Sequence, residues 1–287
     1  MAKDYKEYDP QVLERLHNTQ LDMLTDINDF CDRNGIKYFV HYGCMIGAVR
    51  HKGFIPWDDD IDLSMIRSDY NRFIELARKD KAFSERYEVL GPDCAGYPLT
   101  FAKVSKKGTK FVTDEMLEAG LSWGINLDIF PLDAVPQDLA EFRKRARKAW
   151  VIVKLLYLYY FAHPHIPGKG IKRKMLETVC WAAHGVIRAL PMFKPEMLQA
   201  AYLKNCLREE TKDCQYVDYY LPGGPATLTM RYDEIYPTLD FPFEDRTIRI
   251  PNQYDRILKE KYGDYMKMPP VEKRRNHAPE VLDFGDE

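Results

Sequence analysis

The stretch Trp57-Asp58-Asp59-Asp60-Ile61-Asp62-Leu63 limits what this 287-residue chain can fold into, because it crowds four carboxylates into five positions and then enters an alternating pattern. Two unit negative charges about 4 Å apart repel by roughly 4 kcal/mol at an effective dielectric near 20, so a fold that gathers carboxylates normally supplies a cation. Magnesium is the expected ion, with manganese as the alternative. Asp58, Asp60 and Asp62 take the first, third and fifth places of a calcium-binding EF-hand loop, but the obligatory glycine is replaced by Leu63 and the closing glutamate by Asp69, which excludes that loop. Asp60 to Met65 instead alternates polar with apolar residues, the period of a half-buried strand. Asp60 and Asp62 then share one face, and Ile61 and Leu63 the other. A solvated acidic turn ahead of a strand is the competing reading.

Upstream, Ile36 to Tyr42 reads as a strand ending at Gly43, followed by a short helix with a basic last turn and Gly53 as its C-cap. A glycine at a strand-to-helix junction lets backbone approach a ligand, and the free N–H groups of a helix N-terminus suit phosphate oxygens. A phosphate held there and bridged by a metal on Asp60 and Asp62 is the arrangement that phosphoryl or nucleotidyl transfer requires.

With these residues in view, the segment from Tyr42 to Met65, including Gly43-Cys44, Gly47 to Trp57 and Asp58 to Asp62, closely resembles the LicD family of phosphocholine transferases. That family is related to fukutin and fukutin-related protein within the polymerase-beta-like nucleotidyltransferase superfamily. The superfamily pattern is a Gly and a small hydroxyl residue after a strand, then two acids separated by one apolar residue. Gly43 and the Asp60/Asp62 pair match it, and Cys44 departs from the usual Ser or Thr. The resemblance continues through Ile125 to Asp133, similar to the family's second acidic strand, and through Tyr262-Gly263-Asp264-Tyr265-Met266, Pro269-Pro270 and His277, similar to its C-terminal signature. It implies an α+β fold: a nucleotidyltransferase-like mixed sheet over about residues 20–136, a helical subdomain over about 137–212, and a part over about 213–287 that packs back on the core.

Asp128 shares a strand face with Asn126 and Phe130 in this reading, and the resemblance implies a third acid beside the first pair. A carboxylate there takes the proton of an attacking hydroxyl or binds a second cation; the bland alternative caps a turn at Phe130-Pro131. Arg50, His51 and Lys52 are candidates for neutralising donor phosphate, Arg50 first because its planar fork pairs with two oxygens. Cations in a last helical turn also simply complement the helix dipole. Lys103 is either a phosphate contact or an edge-strand lysine that discourages sheet pairing. Asp133 reads as a turn or helix-entry residue.

Around these motifs, Pro10 to about Asn34 has helical periodicity ending near Gly35, a helix from Ser68 to Lys79 starts with Ser68 as its cap, and residues 138–208 are helical with a break at 163–170. His163 and His165 in that break read as surface residues. Six cysteines without paired short spacing argue against a zinc site and for reduced thiols in a cytosol. A polar first ten residues predicts no secretory signal, and a net charge of −2 gives no general attraction for nucleic acid. The basic cluster Arg143 to Lys148, followed by an apolar run to Ala162, is too short to span a bilayer; it is either a buried helix or a peripheral contact at the inner face of a membrane.

The expected activity is metal-dependent transfer of phosphocholine, or a related phospho-substituent, from a CDP-linked donor to a hydroxyl of a glycan such as lipopolysaccharide or teichoic acid, free or lipid-linked. Asp60, Asp62 and Asp128 are its expected catalytic and metal residues, and Gly43, Cys44, Arg50, His51, Lys52 and Lys103 its donor contacts. The alternatives are transfer that keeps the nucleotide on the product, and a binding module that has lost turnover. Aromatics including Trp57, Trp123, Tyr97 and Tyr219 are candidates for a box around a quaternary ammonium.

Overall fold

Local signals set most boundaries in the computed structural model, which describes residues 7–164, 166, 170–208, 215–220, 229–274 and 276–285. The first helix, α1 (Pro10–Asn34), opens under Asp9, whose carboxylate accepts from the N–H groups of Gln11 and Val12, and stops at Gly35 with φ 60°. It is followed by β1 (Phe39–Val40), α2 (Tyr42–His51), β2 (Asp62–Ile66), α3 (Arg67–Lys79), α4 (Lys81–Arg86), β3 (Tyr87–Leu90), β4 (Ala102–Lys106), β5 (Lys110–Val112), α5 (Asp114–Ala119) and β6 (Asn126–Ala134). The helical lobe is α6 (Leu139–Tyr160), α7 (Ile171–Ala189) and α8 (Pro195–Cys206). The chain returns as β7 (Tyr216–Asp218), β8 (Met230–Arg231), α9 (Tyr232–Ile235), the hairpin β9 (Leu239–Phe243) and β10 (Arg246–Ile250), α10 (Tyr254–Tyr262) and β11 (Val281–Asp283).

The central sheet runs β1-β2-β6-β4-β3, with β7 and β8 joined through β6; β2 and β6 are parallel and the other pairings antiparallel. This mixed sheet with flanking helices is the expected α+β architecture. One apolar cluster joins the sheet to α1, α2, α3 and α10, and a second joins Phe142, Ala149, Ile152 and Leu156 of α6 to Leu198, Tyr202 and Cys206 of α8.

Several local expectations give way to tertiary contacts. The upstream strand shrinks to two residues, so Gly43 lies inside the first turn of α2, and the helix ends on Lys52 in the left-handed region at φ 59°, not on Gly53. Helix α3 starts one residue before Ser68 and carries no side-chain cap. Among its described residues the helical lobe contains three α-helices where two helices were expected. His163 is exposed beside Glu118, and His165 lies outside the described residues.

Asp133 is the largest departure, since β6 runs straight through Pro131 and carries Asp133 into the interior, 1 % exposed. There its two oxygens accept from Nε and Nη2 of Arg67 at 2.7 and 2.8 Å. Removing one partner of such a pair strands a buried charge, at a cost of about 3–5 kcal/mol. Asp133→Ala should lower unfolding stability by that amount in denaturant titration, and pairing it with Arg67→Met should recover part of the loss. Additive losses would show that the two side chains do not depend on each other.

Candidate active site

Strand register aligns three charged side chains across the sheet. Asp62 on β2 stands opposite Asp128 on β6, and Asp128 stands opposite Lys103 on β4. Because the residues of a cross-strand row project from the same face, Lys103, Asp128 and Asp62 form one line, with Asp60 just before β2. Lys103 Nζ pairs with Asp128 Oδ1, and Asn126 Nδ2 donates to the same oxygen at 2.9 Å. β4 lies between β6 and β3, so Lys103 is not the edge-strand lysine that the sequence allowed. Asp60, Asp128 and Lys103 open on a cavity of about 220 Å³ whose walls include Trp123, Phe111, Tyr157, Phe161 and His277.

The acids sit under strong mutual repulsion. Burial, then the charges of Asp60, Asp128 and Asp58, push the Asp62 carboxyl well above its ordinary range. Burial and the neighbouring Asp60 and Asp59 push Asp58 up to about 8. Asp128 is also raised, by burial working against the Lys103 ammonium. Asp60 goes the other way: burial raises it, but the His277 bond and charge, with Lys103 behind, bring it below the ordinary carboxylate value. His277 Nδ1 lies 3.2 Å from Asp60 Oδ2 and 3.5 Å from Asp59 Oδ1, and these two acids hold its imidazole well above its usual range.

Asp59 is a different kind of residue from its neighbours. It is 1 % exposed, and its side chain accepts from Tyr8 Oη at 2.6 Å and from the His277 N–H at 2.8 Å. It fastens the two ends of the described chain beside the acids.

The family model described as LicD/FKTN/FKRP, nucleotidyltransferase domain, matches residues 35–115. The lipopolysaccharide cholinephosphotransferase LicD of Haemophilus influenzae is 29% identical over 262 residues, covering 90% of this chain and 92% of that protein. Along nearly its whole length the chain resembles LicD, and residues 35–115 match the nucleotidyltransferase-domain model of that family. Shorter similarities reach uncharacterized proteins of Rickettsia prowazekii, 40% identical over 31% of this chain and 35% of that one, and of Rickettsia typhi, 32% identical over 25% of each.

Within this LicD-like chain, the motif residues divide into two groups. Asp60, Asp62, Asp128 and Lys103 come together. Gly43 approaches them from α2, where a β-carbon would lie 2.7 Å from Asp58 Oδ2, so a side chain there would displace an acid. Arg50, His51 and Lys52 do not join them, because seven residues of helix carry Arg50 roughly 10 Å along α2 from Gly43. Arg50 Nη1 instead donates to the carbonyl of Tyr265 at 2.8 Å, its Nε to His51 Nε2 at 2.9 Å, and the Lys52 carbonyl accepts from the Glu244 N–H at 2.7 Å. The trio holds the C-terminal part against α2.

Cys44 is buried with its sulfur turned to the backbone of the acids. Sγ accepts from the Asp62 N–H at 3.2 Å and donates to the Asp60 carbonyl at 3.5 Å. Burial and the charges of Asp62 and Asp60 keep its thiol well above its ordinary value, so it is a neutral tether. Ser can replace both bonds, whereas Ala leaves a buried N–H unpaired at a cost of about 1–3 kcal/mol. Cys44→Ser should therefore hold turnover within about tenfold, with Cys44→Ala losing that cost in unfolding stability. A larger loss for Ser than for Ala would remove the tether from the account.

Two residues near the acids escaped the sequence reading. Lys261 on α10 stacks its ammonium 3.6 Å from the Tyr42 ring centroid, and burial brings it down to about 8 against the opposing pull of Asp218 and Asp62. Asp218 on β7 is raised well above its ordinary range, by burial first, with Lys261 opposing. Neither stands in a motif; a lone lysine late in an amphipathic helix carries no signal of what it faces. His277 was visible only through the family resemblance. Of the aromatics, Trp123 lines the cavity, with Lys103 Nζ 5.7 Å from its ring, while Trp57 is stacked under Arg274 and Tyr219 is buried.

Among the described residues, no group of three or more His, Cys, Asp or Glu side chains stands ready to hold a metal. The donor chemistry nonetheless fits magnesium, which takes hard oxygens, keeps several waters, and is usually bound by one or two carboxylates together with substrate phosphates, not by an all-protein cage. Asp62, pushed up by burial and by Asp60, Asp128 and Asp58, is a carboxylate whose ionised form an added cation would favour.

Proposed function

We propose that the protein transfers phosphocholine from a CDP-linked donor to a hydroxyl of a lipopolysaccharide-type glycan, using the cavity beside Asp60, Asp62 and Asp128. The observation that carries this is the cross-strand row of Lys103, Asp128 and Asp62, present in a chain similar along nine-tenths of its length to a lipopolysaccharide cholinephosphotransferase. Asp60 and Asp62 would hold the magnesium, which when bound offsets charge on the donor's pyrophosphate. Asp128 takes the acceptor's proton. Its bonds to Lys103 and Asn126 both fall on Oδ1, which leaves Oδ2 for the hydroxyl. The Lys103 ammonium keeps Asp128 oriented and, as part of the cavity wall, would meet a phosphate oxygen of the donor. The acceptor oxygen attacks the phosphorus that bears choline, and CMP departs from the opposite side. Trp123 offers an aromatic face to a quaternary ammonium.

The test is incubation of the pure protein with CDP-choline, magnesium and a glycan acceptor, with CMP release and product mass as readouts. A product heavier by phosphocholine supports the reading. A product carrying the nucleotide would replace it with nucleotidyl transfer, and no turnover with any CDP-linked donor would leave a binding module.

A further inference from the structure

The helical lobe wears both positive charge and apolar surface on its outside. Residues 139–206 contain 13 Lys and Arg against three Asp and Glu, in a chain whose totals are 42 and 44. The lobe is therefore strongly cationic while the remainder of the chain is acidic.

On α7, Ile171, Met175, Val179 and Val186 recur at steps of four and seven residues, which keeps them on one stripe of the helix. That stripe faces solvent: the four are 83%, 66%, 59% and 58% exposed. The opposite side of α7 is the one attached to the protein, through buried Ile187 and through His184, whose Nδ1 lies 2.7 Å from the Leu158 carbonyl of α6. Trp181, 59% exposed, and Met192, 62% exposed, add further apolar side chains to the outside of the lobe. On α6 of the same lobe, Arg143, Lys144, Arg147 and Lys148 line a shallow, exposed groove.

We propose that this lobe seats on the surface of an anionic lipid bilayer, with the α7 stripe entering the boundary between headgroups and acyl chains and the α6 cations meeting the headgroups. Charge complementarity selects the occupant. A second copy of the chain would bring two cationic lobes together against their own repulsion, whereas an anionic leaflet satisfies the charge and the apolar stripe at once. Among the described residues no helix is long and apolar enough to cross a membrane, so the seat is interfacial. Tyr157 and Phe161, in and just after the last turn of α6, line the acid cavity, and docking through this lobe places that cavity beside the lipid surface. The seat does not depend on which group the cavity transfers.

Co-sedimentation with vesicles tests it, using phosphatidylethanolamine containing phosphatidylglycerol against phosphatidylcholine alone. The protein should sediment with the anionic vesicles, less so as salt is raised, and Trp181 fluorescence should shift to the blue. Met175→Glu with Val179→Glu, and separately Arg147→Glu with Lys148→Glu, should each reduce binding about tenfold or more. All four side chains are exposed, so thermal unfolding and CMP release toward a water-soluble acceptor should stay unchanged. Absence of binding by the unaltered protein, or equal binding by the variants, would overturn the seat. So would a self-associating protein that the α7 variant renders monomeric without any vesicle binding by either. Loss of CMP release with vesicle binding intact would count against the reaction alone.

Discussion

On the proposed reaction, Asp62→Asn should reduce CMP release by about a thousandfold or more, since it removes one of the two carboxylates that would hold the magnesium and with it several kcal/mol of charge stabilisation at the pyrophosphate. Asp60→Asn should do the same. The two variants should differ in stability, however. Asp62 is held above its ordinary pKa by burial and by acidic neighbours, so a neutral amide there relieves repulsion and should raise the melting temperature in metal-free buffer. Asp60 is the partner of His277 at 3.2 Å, and its amide gives up an ion pair, so that variant should melt no higher than the parent. Titrating magnesium into the parent should raise its melting temperature, and the rise should shrink in both variants. A folded variant of either residue that turns over at near-normal rate would remove that acid from the mechanism.

Asp128→Asn should depress transfer by about 10²–10⁴-fold, the usual cost of removing a positioned general base. Donor affinity separates the two roles that a carboxylate could have there. If Asp128 takes the acceptor's proton, the variant should bind the CDP-linked donor as tightly as the parent while the chemical step slows. If it is instead a second metal ligand, donor affinity in magnesium should fall as well. Lys103 gives an internal comparison, because its ammonium opposes the burial that raises Asp128. Lys103→Met should raise the Asp128 pKa further and move the alkaline rise of the rate to higher pH. Unchanged transfer in Asp128→Asn would leave Asp128 a structural partner of Lys103 and Asn126.

What the sequence disclosed was local in character. The limits of α1 were legible because its apolar period and the glycine that ends it, Gly35, lie within the segment itself. The alternation around Asp62 and around Asp128 was legible for the same reason. That these residues face each other was not, because it depends on a parallel pairing between strands 66 positions apart in sequence, and nothing in either strand encodes its register against the other. Asp133 was misread as a turn residue because Ala134-Val135-Pro136 follows it, whereas β6 runs on to Ala134 and the arginine that satisfies Asp133 is the first residue of α3, distant in sequence. The basic run Arg50 to Lys52 looked like a phosphate cradle. A charge run shows that solvent or a partner is near but not which one, and here Arg50 is spent on backbone carbonyls of the C-terminal segment. Lys261 and Asp218 were invisible because each becomes unusual only through burial beside the other.

The bonds to Asp59 bear on the order in which the molecule assembles. Tyr8 reaches it across 51 positions and the His277 N–H across 218, and contacts of that separation form only after the intervening chain has condensed, since closing the loop must be compensated by structure already in place. During synthesis, Asp59 and Asp60 therefore wait for nearly the whole chain to emerge before His277 arrives. In refolding from denaturant, turnover should return in a phase later than the recovery of helix and sheet, and the late phase should carry the closing of both chain ends over the acids.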